Sequence, residues 1–136
     1  MHDLAKTFRA SQLFAHNAHN VVKGQTFFQD HEFLASTYSA YEEAYDSVVE
    51  RMIGLGFVFD IAMLTKEAGI SASTYPVQRM TSKELFEALL GFETIICTLI
   101  KSYMESKTTN GTQDLLQGLA DDSEMRQYKI KQRLMV

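Results

Sequence analysis

The chain holds one proline, one cysteine, no tryptophan and seven glycines in 136 residues. So few turn-formers exclude a β-sandwich or barrel, which needs turn signals every 8–12 positions. The lone Cys97 cannot close an internal disulfide, and its solitude leans toward a reducing compartment, so a cytoplasmic protein is expected. No apolar run is long enough to span a bilayer and no basic-plus-apolar leader is present, so no membrane partner is expected. An excess of basic charge is also missing. Thirteen Lys and Arg against 17 Asp and Glu leave −4, which gives no global field toward nucleic acid.

What remains is a chain that is 46% hydrophobic and 22% charged, the composition of one globular domain over residues 1–136. Between Thr26 and Ile53, residues Leu34, Tyr38, Tyr41, Tyr45, Val48 and Met52 recur at steps of three and four, the apolar stripe of a long helix. Thr26 and Gln29 suggest a capping box, and Gly54 and Gly56 a stop. A second long helix, about 82–107, carries Leu85, Leu89, Phe92, Ile96, Leu99 and Tyr103 behind a Thr81–Glu84 capping box. Outer helices are expected over about 3–22 and 112–134. The outer connections are short and join antiparallel neighbours. About 26 residues, 55–80, separate the inner helices and hold Pro76, with a short helix expected from Asp60 to Ala68 and stopped by Gly69. The fold class that follows is all-α: a ferritin-like four-helix bundle with one long crossover that carries a short extra helix.

The second helix has another face. His31, Ala35, Glu42, Asp46 and Glu50 fall within about 100° of one another, and imidazole with carboxylate can ligate a hard or borderline metal. Acids on a helix face are usually only solvated, so distance matters. His31 and Asp46 lie about 22 Å apart along the helix and cannot share a metal within one chain. Two copies of the helix crossing antiparallel about a two-fold axis would bring His31 of one to Asp46 and Glu50 of the other. The turn at Lys23-Gly24 could fold His19 back beside His31.

These residues resemble the Dps (DNA protection during starvation) mini-ferritins. The family pattern opens on His, places Gly five residues later, Phe eight later and a second His twelve later. An Asp, a Glu-Arg pair and Leu-Gly follow. His19, Gly24, Phe27, His31, Asp46, Glu50-Arg51 and Leu55-Gly56 meet each spacing. Thr112-Gln113-Asp114-Leu115-Leu116 is similar to the start of the family's last helix, with Tyr128 near its usual Trp. The resemblance implies a hollow homododecamer built from two-fold dimers, with iron (Fe2+/Fe3+) as the metal. On that resemblance it is expected to act as a ferroxidase, an oxidoreductase on metal ions, that oxidises Fe(II) with hydrogen peroxide, stores the ferric mineral and protects against oxidative stress. By position, His19 and His31 would ligate from one subunit, and Asp46 and Glu50 from its partner.

Two positions depart from the pattern. Ala35 stands where the family usually has an acid one turn after the second His, and Asn20 stands where it has Trp. Glu42 and His16 are further candidate ligands, and the alternatives are a shell or scaffold with a degenerate site or a DNA-compacting protein that uses its C-terminal basic cluster. Asp114, Asp121 and Asp122, with Glu124 nearby, could line an acidic entry pore, or be ordinary surface acids. Arg126, Lys129, Lys131 and Arg133 form the one basic cluster that could contact DNA, although such residues also suit the last turns of a helix. A dodecamer would carry about −48, so DNA binding is expected to be weak or absent.

Overall fold

The computed structural model describes residues 1–135. Five α-helices follow in order: α1 His2–Val21, α2 Phe27–Gly54, α3 Ile61–Ser73, α4 Ser82–Glu105 and α5 Asn110–Leu134. Strands do not occur among the described residues. A single 3₁₀ turn, Val77–Arg79, follows Pro76. The long helices match the expected stripes: Leu34, Tyr41, Tyr45, Val48 and Met52 of α2 join Leu85, Leu89, Phe92 and Ile96 of α4 in one core with Leu4, Phe8, Phe14 and Ala18 of α1.

Four hydrogen bonds fix the directions of the four long helices. Ser82 Oγ, at the start of α4, donates to the Lys23 carbonyl just after α1. Arg133, at the end of α5, donates to Asp30 and to Thr26 at the start of α2. The starts of α2 and α4 therefore share one end of the bundle with the ends of α1 and α5, so α2 and α4 run parallel. That arrangement demands the long crossover. Within it α3 packs on α1 through Leu64, Ala68 and Ala72, and Lys6 lies 3.8 Å from Glu67.

Two local expectations need correction. Thr81 and Glu84 form the capping box of α4, but Thr26 and Gln29 form none: the Thr26 side chain makes no cap bond and instead donates to Asp30 Oδ2 at 2.7 Å. The hydroxyl donates to the Asp30 carboxylate and its oxygen accepts from Arg133 Nη2 at 3.0 Å, a charged donor that takes the place of a backbone N–H. The short helix also runs through Gly69 to Ser73, five residues beyond the expected stop at Ala68. A mid-helix glycine costs only about 1 kcal/mol, and burial of Ala72 against α1 offsets it. The Asp60 side chain does accept from Met63 N–H and caps the start.

Candidate metal centre

His19 stands in the last turn of α1 and His31 in the second turn of α2. The tight connection between these helices, with Gly24 at φ 103°, a conformation that glycine adopts without penalty, folds one histidine onto the other. Their rings stack with centroids 3.7 Å apart and planes 25° from parallel. The Nδ1 of His19 lies 2.8 Å from the backbone oxygen of His31. A carbonyl only accepts, so Nδ1 carries the proton and donates. In the neutral ring Nε2 then keeps its lone pair for a metal, the tautomer that a second-shell carbonyl usually imposes on a ligating histidine. Phe27 stacks on the far face of His31 at 4.9 Å, and Tyr38 meets His19 edge-on at 5.4 Å. His16 lies exposed and parallel to the Tyr38 ring at 4.1 Å, 6.1 Å from His19.

The acids lie elsewhere. Glu42, Asp46 and Glu50 are all exposed along α2, away from the histidine pair. Among the described residues no group of three or more His, Cys, Asp or Glu comes together in a way that could hold a metal. One chain thus supplies two imidazoles at one end of α2 and a row of exposed carboxylates toward the other. Ala35, one turn after His31, is half-buried and offers no donor. Asp114, Asp121, Asp122 and Glu124 are exposed on α5.

The basic cluster divides. Arg126 is engaged by Glu93, and Arg133 by Asp30 at 2.9 Å from both its Nε and Nη2. Only Lys129 and Lys131 of the four are exposed without an acid partner among the contacts of the described residues.

Sequence reasoning missed the polar centre of the bundle. Glu93 on α4 is wholly buried; its oxygens accept from Arg126 and from Ser123 Oγ at 3.2 Å. Burial pushes its carboxyl above the usual range, against the pull of Arg126 and Ser123. Arg126 also lies 4.9 Å from the Tyr41 ring centre. Tyr41 is fully enclosed with no hydrogen-bond geometry for its hydroxyl, and burial first, then the charge of Glu93, holds its proton far above the usual tyrosine range. The signal was present: Glu93 falls four residues after Leu89 and three before Ile96, inside the apolar stripe. Arg126 falls between Ser123 and Ile130 in the same way. In bundles that bind metal internally, acids and histidines from several helices converge on the centre. Here Arg126 pairs with Glu93, the one acid at the bundle centre among the described residues.

A sequence model described as a ferritin-like domain matches residues 2–135. No curated protein matches the chain.

Proposed function

The chain belongs to the ferritin-like domain family, proteins of iron oxidation and storage, and from that premise we propose that it is a Dps-type mini-ferritin whose iron sites are shared between two subunits. The observation that carries the reading is the His19–His31 pair, pre-set with the His19 Nε2 free and with no acid among the described residues to complete it. Asp46 and Glu50 of the partner subunit would complete it when two α2 helices cross antiparallel, with Glu42 and His16 as auxiliary ligands. Exposed Ile53, Phe57, Val58, Ile61, Met63 and Ile70 crowd the end of α2 and the crossover helix. Apolar surface on that scale suits contact with further copies, which supports the two-fold dimer and a dodecameric shell.

The chemistry follows from the donors. Imidazole nitrogen and carboxylate oxygen together hold Fe(II), and the carboxylates favour the harder Fe(III) that oxidation leaves. Hydrogen peroxide is the proposed oxidant, and storage of the ferric product would protect a cytoplasmic host from oxidative damage. Asp114, Asp121 and Asp122 are proposed to guide iron through the shell. DNA is a weak partner on this reading, because Arg126 and Arg133 are occupied inside the fold and the chain is acidic.

Stopped-flow absorbance of Fe(III) formation tests the proposal. His31→Ala and Asp46→Ala should each lower the peroxide-driven rate by at least about tenfold, the usual scale for removing a metal-site group. Unchanged rates in both variants would favour a shell without a working site, a reading to which Ala35 already points.

A further inference from the structure

Of the four seams between neighbouring long helices, the one between α2 and α5 is the most open: the α1–α2, α4–α5 and α1–α4 backbones pack closely, and the α2–α5 pair does not. Two cavities of about 320 Å³ each lie along it, and Phe33 and Lys129 line both. In the first, the rings of Phe33 and Phe86 stand 5.9 Å apart with planes 33° from parallel, and the Arg133 guanidinium lies 5.1 Å from the centre of Phe86.

The charges of this first cavity leave one cation over. Asp30 is its only lining acid, and it is buried with both oxygens accepting from Arg133. Lys129, one turn before Arg133 on α5, is exposed without an acid partner among the described residues. Arg133 bonds through Nε and Nη2, and its Nη1 makes no hydrogen bond among those residues. The second cavity adds Asp122, so an anion is favoured at the first.

We propose that the first cavity binds a small aromatic carboxylate, its ring against Phe33 and Phe86 and its carboxylate accepting from Lys129 Nζ and Arg133 Nη1. Aromatic walls favour a ring in offset or edge contact. Two donors at i and i+4 on one helix face suit the two oxygens of a carboxylate. The volume is at the small end for ligand sites, which fits one or two fused rings and not a long acyl chain. The site is independent of iron, because none of the residues that line it is a candidate ligand of the metal centre.

The test is a ligand-observed NMR titration of the full chain with 2-naphthoate, with 2-naphthalenemethanol as its uncharged counterpart. The wild type should bind naphthoate with a dissociation constant of about 1 mM or below, and the alcohol about tenfold more weakly. Lys129→Glu reverses the charge, and Gln29→Trp fills the cavity from an exposed position. Each should weaken naphthoate by at least about tenfold. Lys131→Glu makes the same change of net charge outside the cavity and should match the wild type. The altered side chains are all exposed, so helical circular dichroism should not change. Equal binding of acid and alcohol, equal binding by Lys129→Glu and Lys131→Glu, or no naphthoate binding at several millimolar overturns the proposal.

Discussion

At Glu93 a carboxyl with no exposed surface is held by Arg126 and Ser123, and burial raises its titration despite the guanidinium. Removing one member of a buried pair leaves the other charge uncompensated, which costs about 3–5 kcal/mol. Arg126→Ala should therefore lose about that much in urea unfolding, far more than Lys129→Ala on the exposed side of the same helix. The shift also sets a sign for pH. From about 4.5, its ordinary value, up to its raised folded value, Glu93 binds its proton more tightly folded than unfolded. Its own contribution to stability is therefore fully present below that window and falls as pH rises through it. Glu93→Gln should flatten this slope, so the wild type's advantage over the variant shrinks with rising pH, read from urea midpoints across a pH series. The pairings of Glu93 with Arg126 and Asp30 with Arg133 were half legible. Each charge interrupts an apolar stripe at three-and-four spacing, but only tertiary placement says which acid meets which arginine.

Helix existence was written in periodicity because burial of one face drives it, and α2 and α4 run close to their expected limits. Helix ends were less legible where tertiary partners compete for the capping side chain. Thr81 faces solvent with only Glu84 within reach and builds the expected box, whereas Thr26 is drawn into the Asp30–Arg133 network 107 residues along the chain. That network ties the last turn of α5 to the first turn of α2, one residue before His31. Arg133→Ala should cost about 2–3 kcal/mol, because it strips the buried Asp30 carboxylate of its cation although the guanidinium itself is partly exposed. The telling readout is local: amide exchange at the start of α2 and the end of α5 should quicken, while the middle of α4 stays protected. Uniform acceleration throughout the bundle would contradict a local clamp. The candidate site was legible to a similar degree. The spacing of His19 and His31 around Gly24 foretold a contact, but neither the stacked geometry nor the carbonyl that fixes the His19 tautomer leaves any trace in sequence.

On the scale of the whole molecule, scarcity of proline leaves α2 unbroken for 28 residues, long enough to keep its histidine and its acids apart. A chain that cannot gather its own ligands needs a second copy, and that is the central claim. Mixing subunits tests it directly. His31→Ala and Asp46→Ala chains are each expected to be inactive alone, yet unfolded together and refolded they should form mixed dimers with one intact site of two. Random pairing then restores about a quarter of the wild-type Fe(II) oxidation rate. Recovery near that level is the predicted result; a mixture that stays as inactive as its two components would contradict a site shared between chains.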